Sequence, residues 1–222
     1  MVLCATMSVT IHTLLIGQPQ VQHDSKGEWR TAIFRTPLAG PIALGPRGLE
    51  GDQVADTKHH GSKDQAVCVH PLAHHEHWSG VYRVALGPGA VGENWTLTGT
   101  DETLVCIGDI YAVGTARVQV SQPRFPCSKQ ERKLGLKGFL KAVMATGKSG
   151  WYLRVLTPGV VQAGDTLTLE SRPEHGLAVA EANRGLLGEV VDRPLIHQLL
   201  ELPELAAVWK RGLRRRLGHA EE

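Results

Sequence analysis

Aromatic side chains are scarce in this 222-residue sequence: five Trp, three Tyr and three Phe, 5% of the chain. Cysteine is scarcer still. The four, Cys4, Cys68, Cys106 and Cys127, form no Cys-x-x-Cys pair and no cluster that would hold iron–sulfur. The chain offers no obvious electron relay of its own, so a redox role would need an outside electron donor. No apolar run approaches the roughly 18 residues that span a bilayer, and no transmembrane helix is expected. The opening Met1-Val-Leu-Cys-Ala-Thr-Met7 carries no basic group, which argues against a secretory leader. Reduced thiols and a cytoplasmic location are the resulting expectation. A charge surplus is lacking too. Lys+Arg 24 against Asp+Glu 22 gives +2, which supplies no global drive toward nucleic acid or a membrane surface.

What is present is an ordinary globular composition, 42% hydrophobic and 21% charged, in a chain long enough to bury a core without staples. Twenty-five Gly and 12 Pro divide the first 170 residues or so into short segments. Period-two patterning or β-branched runs predict strands over 8–16, 29–35, 66–70, 81–86, 103–107, 110–113, 117–121, 151–156 and 166–169. Gly-Asp turns precede the strands at 110 and 166. Many short strands with close turns imply a barrel or sandwich. Helical spacing predicts a short helix over 71–78 and a longer one over 129–146, weakened by Gly135 and Gly138. After Pro173 the texture becomes Ala/Leu/Glu/Arg-rich, with helices expected over 179–187, 193–200 and 204–217. Asp192 is placed to cap the second, with Pro194 in its first turn. The domains expected are 1–172 and 173–222.

Charge is unevenly placed. Arg117 to Arg154 holds nine basic residues and one acid, a net +8, while the remainder carries −6. Such a block suits either an anionic ligand or a solvated helix face; Arg124 and Lys148, in loops, are the candidates for ligand contact. The cluster Lys210, Arg211, Arg214, Arg215 and Arg216 sits at a helix C-terminus, where cations complement the dipole, and nucleic-acid binding is not expected of it.

Cys68 and Cys106 lie in apolar runs and read as small core residues. Cys127 differs. It follows Gln122-Pro-Arg-Phe-Pro126 directly after a strand and opens the basic helix, with Arg124 and Lys129 nearby. That setting favours a thiolate, which is both a nucleophile and a soft metal ligand. A structural cysteine in a stiff turn is the alternative. His59, His60, His70, His74, His75 and His77 crowd 19 residues, but no second cluster closes a tetrahedral zinc site, and surface or structural roles are expected. Asp64, Glu93 and Asn94 flank glycine turns, where they cap the turn or bond a heterocycle.

Six pieces, in order, carry a resemblance: Gly48-Leu-Glu-Gly-Asp52; His60-Gly-x-x-Asp64-x-Ala-Val67; Gly92-Glu-Asn94; Ile107-Gly-Asp109; Gln122-Pro-Arg-x-Pro-Cys127; and Gly147-Lys-Ser-Gly-Trp151. The sequence resembles the MOSC domain family (molybdenum-cofactor sulfurase C-terminal domain), in its small YiiM-like branch. The tail from Val179 resembles that branch's three-helix domain. The resemblance implies a mainly β fold, an antiparallel β-barrel followed by a three-helix module. It implies a molybdenum cofactor, a pterin whose metal is held by Cys127, and reduction of N-hydroxylated compounds, such as purine analogues, with electrons from an external donor or reductase. On that footing Asp64, His60 or Glu93 supplies protons. Arg124, Glu93, Asn94 and the Lys148-Ser149-Gly150 loop contact the cofactor. Ser62-Lys63, Gln65, Val91 and the histidines at 74–77 depart from the family pattern. A sulfur carrier using a Cys127 persulfide, or a non-catalytic anion-binding module, would use the same residues. Leu195, Leu199, Leu202, Leu205 and Val208 need apolar cover, from this chain or from a second copy in a homodimer.

Overall fold

A computed structural model describes residues 8–58 and 60–218. Cys4 and His59 lie outside the described residues. The strands run β1 (Val9–Ile16), the hairpin β2 (Gln20–Asp24) and β3 (Gly27–Thr31), β4 (Thr36–Pro37), β5 (Ile42–Gly45), β6 (Gly48–Leu49) and β7 (Val67–Pro71). Helix α1 (Leu72–Tyr82) precedes β8 (Trp95–Thr98), β9 (Ile110–Val113) and β10 (Ala116–Pro123). Helices α2 (Ser128–Leu134) and α3 (Phe139–Thr146) lead to β11 (Trp151–Thr157), β12 (Gly159–Val161) and β13 (Thr166–Ser171). Helices α4 (Val179–Leu187), α5 (Arg193–Glu201) and α6 (Ala207–Leu217) follow.

Seven strands close into a barrel in the order β1-β8-β7-β11-β10-β9-β13 and back to β1. All neighbours are antiparallel except β7 and β8, which α1 connects as a crossover. Closure leaves no exposed barrel edge. The interior is filled by Ile11, Leu14, Val67, Val69, Leu97, Val118, Val120 and Leu153, with Trp95 and Trp151. Each such aliphatic side chain contributes about 1.5–3 kcal/mol by leaving water.

The same apolar cluster continues into the C-terminal helices through Val179, Ala182, Ile196, Leu199, Trp209 and Leu213. Backbone bonds stitch the two parts: Val179 N–H to the Val105 carbonyl, Ala180 N–H to Glu102, and Ala206 N–H to Ser121. Leu195, Leu199, Leu202 and Leu205 are therefore covered within one chain, while Val208 stays 45% exposed. The Asp192 carboxylate accepts the Leu195 N–H and caps α5, with Pro194 in the first turn. No helix among the described residues is long and apolar enough to cross a membrane.

Three local expectations are corrected. The single helix over 129–146 is two, because Gly135 and Gly138 take φ of 67° and 84° and break the ladder. Residues 81–86 are not a strand: α1 runs on to Tyr82, held by Trp78 and Phe139 packing, and Arg83 ends it in the left-handed region. Residues 103–107 form a turn with one isolated bridge, Cys106 to Ala178, rather than a strand. The short apolar run there packs under the helical module instead of pairing along its length.

At the start of β11, Gly150 has φ of 79°, and a Cβ there would overlap the Val69 carbonyl oxygen. Gly150→Ala is expected to cost at least about 2 kcal/mol, the sum of left-handed strain and backbone overlap. Urea unfolding of the variant against the parent measures it; a change below a few tenths would contradict this packing.

Candidate functional site

At one rim of the barrel a cavity of about 650 Å³ opens between four stretches of chain. The segments are Thr31–Arg35 after β3, the long loop 47–66, Gly92–Asn94 before β8, and Arg124–Lys129 after β10. Cys68 on β7 and Tyr152 on β11, direct partners in the barrel register, form part of its wall. Its charges are mostly positive: Arg35, Arg47, Lys63, Arg124 and Lys129, against Asp52 and Asp56.

Arg124 is the central group. Two prolines hold its segment extended, and the Gly150 carbonyl accepts its backbone N–H at 2.9 Å. The residue is 5% exposed. Its Nη2 donates to the Val91 carbonyl at 2.6 Å, while Nη1 is buried with no partner among the described residues. Burial works against this charge, but Cys68, Tyr152, Glu93 and Cys127 around it more than offset that, and its pKa moves up. A buried, charged donor without an acceptor in a cavity wall calls for an anion or ordered water.

Cys127 stands three residues on, half-buried, at the N-cap of α2. Its backbone N–H donates to Gln130 Oε1 at 3.1 Å, and Gln130 Nε2 donates to Val91, the carbonyl that holds Arg124. The Cys127 turn and the Arg124 head are thus fixed on one carbonyl. Cys68 shares the cavity but is fully buried, and burial pushes its thiol pKa up, so the more exposed Cys127 is the thiol open to chemistry.

The facing wall rests on a buried ion pair. Asp52 accepts from Arg35 Nε at 3.1 Å and Nη2 at 3.0 Å, from the Gly17 N–H and from Asn94 Nδ2. Arg35 also donates to the Gly92 carbonyl, and the Asn94 side-chain oxygen accepts the Cys68 N–H. Asn94 therefore welds the cavity floor to its wall.

Of the residues singled out from sequence, Cys127, Arg124, Asn94 and His60 meet in this cavity. Asp64 turns away, ion-paired with Arg154 at 2.8 Å, into a groove against the helical module. Glu93 points inward, buried, although both chain neighbours face the cavity. Lys148 lines a separate cleft with His74 and Glu102. Ser149 and Gly150 are buried behind Arg124. The basic block is largely tied down: Arg117 to Glu170, Arg132 to Asp24, and Lys133 to the Ile33 and Gly89 carbonyls. Sequence reasoning passed over Arg35, Arg47 and the wall role of Cys68. The Gly-Pro-Arg47-Gly turn is the one local cue among them; Arg35 and Cys68 carry none.

The histidines at 70–75 are core residues. His74 Nε2 lies 2.6 Å from Glu102 Oε2, and His75 Nε2 lies 2.8 Å from Glu93 Oε1. His70 packs its ring against both, and neither of its nitrogens has a partner among the described residues. No group of three metal-ligating side chains assembles among the described residues.

Comparison with known proteins gives the following. The sequence profile of the MOSC domain matches residues 56–168, and that of the YiiM-like 3-alpha helix domain matches residues 178–220. The Bacillus subtilis protein YflK is 38% identical over 202 residues, covering 90% of this chain and 91% of its own length. A Gibberella moniliformis protein named "Reductase" is 33% identical over 185 residues, 80% of this chain but 32% of that longer protein. The crystal structure of YiiM from Geobacillus stearothermophilus superposes with a TM-score of 0.80 at 37% identity, covering 94% of this chain and 99% of that one.

The buried histidines make stability depend on pH. Burial, reinforced by the charge of His75, holds His70 well below its ordinary 6.5. The unfolded chain then takes up a proton that the folded chain refuses, so stability falls as pH drops below about 6.5. For Glu93, burial opposes ionisation, but the bond to His75 and the charge of His75 outweigh it. Its pKa lies far below the usual 4.5, and its contribution persists until stronger acid. His70→Leu is therefore expected to flatten the loss of stability between about pH 6.5 and 4.5. Urea midpoints across that range test it; an unchanged slope would refute it.

Proposed function

The chain belongs to the MOSC family, with the YiiM-type three-helix extension, and from that premise we propose that it is a molybdenum-cofactor-dependent reductase of N-hydroxylated compounds. The observation that carries the reading is the pairing, in one cavity, of the half-buried Cys127 thiol with a buried arginine whose Nη1 has no acceptor among the described residues. A soft sulfur donor in one cavity with a buried cation fits a thiophilic metal carried on an anionic organic group. The "Reductase" relative supports the same class of chemistry.

When bound, the cofactor supplies a metal centre that stores two electrons. Cys127 would furnish the metal's protein ligand. Arg124 would bind the anionic part, with Arg47, Lys63 and Lys129 attracting it from the rim. Asn94 and the Arg35–Asp52 pair keep the wall rigid, so binding does not have to order it.

The overall reaction converts R–NH–OH, two electrons and two protons into R–NH₂ and water. The electrons come from an external donor. His60, in the cavity wall, would hold a proton for the departing hydroxyl; Asp64 and Glu93 do not line the cavity.

The test is metal and pterin content of protein purified from a cofactor-competent host, beside Cys127→Ser. Near-stoichiometric molybdenum in the parent, lost in the variant together with reduction of an N-hydroxylated purine, is the expected result. Full activity with metal retained in Cys127→Ser would overturn the assignment. Sulfane sulfur on Cys127 without molybdenum would move the function to sulfur carriage.

A further inference from the structure

Helix α1 carries two consecutive buried histidines, and each grips a different carboxylate. Following each grip leads to the same side chain. His74 holds Glu102 Oε2 at 2.6 Å, and the other oxygen of that carboxylate accepts the Gly150 N–H at 2.6 Å. The Gly150 carbonyl in turn accepts the backbone N–H of Arg124. His75 holds Glu93 Oε1, which also accepts the Gly89 N–H at 2.6 Å and the Thr96 hydroxyl at 3.0 Å. The Gly89 carbonyl accepts the Gly92 N–H, which folds residues 89–92 into a turn, and that turn presents the Val91 carbonyl to Arg124 Nη2.

One arm therefore fixes the Arg124 backbone and the other fixes its guanidinium. Both run through charged or short bonds in a water-poor interior, where such bonds are strong and a broken one is costly. Gly150 admits no slack, because its conformation and the nearby Val69 carbonyl leave room for hydrogen only. Neither histidine lines the cavity that Arg124 serves.

We infer that His74 and His75, through Glu102 and Glu93, are positioning residues that aim Arg124 at an anion in the cavity. The proposal rests on the reading that Arg124 binds the anionic part of the cofactor. It assigns a purpose to α1 beyond its role as a crossover. An arginine left free to change rotamer would lose geometry and orientation entropy each time it met an anion; the two arms remove that cost beforehand.

The probe is inorganic phosphate. Its effect on the thermal midpoint is read at constant ionic strength, with molybdenum and pterin content of the purified protein as a second readout. Glu102→Ala removes the acceptor for Gly150, and Glu102→Gln keeps one. The expected result is a half-saturating phosphate concentration raised about tenfold in Glu102→Ala, the scale of one lost charge-assisted bond. Glu102→Gln should stay near the parent, and Glu102→Ala should add nothing in an Arg124→Ala background. His75→Ala tests the other arm with the same readout and serves where Glu102→Ala does not fold.

If Arg124→Ala weakens phosphate binding while Glu102→Ala and His75→Ala bind as the parent does, the positioning role is overturned and the anion site stands. Equal additional loss in the Arg124→Ala background also overturns it. If Arg124→Ala itself binds phosphate as the parent does, the anion site fails and this proposal fails with it.

Discussion

A guanidinium almost wholly out of water is the costliest group in this fold, and much of the surrounding structure exists to keep it there. Burying an ion costs several kcal/mol unless bonds and opposing charge repay it. Arg124 receives one carbonyl at its head, one at its backbone, and a circle of groups that favour its charge. One of its nitrogens is left without a partner among the described residues. A fold selected for stability alone would have put an apolar side chain there. That residual imbalance is what the proposed anion would answer.

The same constraint explains why so many polar groups are buried near this rim. His70, His74, His75, Glu93, Asn94, Glu102 and Gln130 are all nearly or wholly inaccessible. Most are satisfied pairwise, so the rim is rigid through polar bonds where the rest of the barrel is rigid through packing. The Arg35–Asp52 pair does for the opposite wall what the histidine–carboxylate pairs do behind Arg124.

The sequence made the architecture legible because its signals there are local. Period two in Arg117-Val-Gln-Val-Ser, the Asp192 cap and the Gly-Asp turns each report on neighbours a few residues away, and β10, α5 and the starts of β9 and β13 follow from them. The loop that carries Cys127 was legible for the same reason: two prolines and a cysteine before a basic helix are a contiguous pattern. The support behind it was not. His74 meets Glu102 across 28 positions, Glu102 meets Gly150 across 48, and Arg35 meets Asp52 across 17 with Asn94 a further 42 away. Nothing in the spacing announces such partners. Of the two roles expected for the histidines, surface or structural, His74 and His75 take the structural one, because carboxylates from distant segments meet them in the core. Lys148 looked like a ligand contact from its loop, yet the turn of α3 directs it into a different cleft.

Phe125 sits between Arg124 and Cys127 with half its surface in solvent, and its ring meets Trp209 of α6 edge-on at 6.4 Å. Trp209 in turn is seated on the carbonyl of Ala182 in α4. The segment bearing the thiol is thus braced from outside by helices that contribute nothing to the walls of the cavity. Removal of the helical tail would leave every cavity residue in the chain yet strip away the surface against which their loop is held, so the shape of the cavity rim depends on helices that never touch its contents.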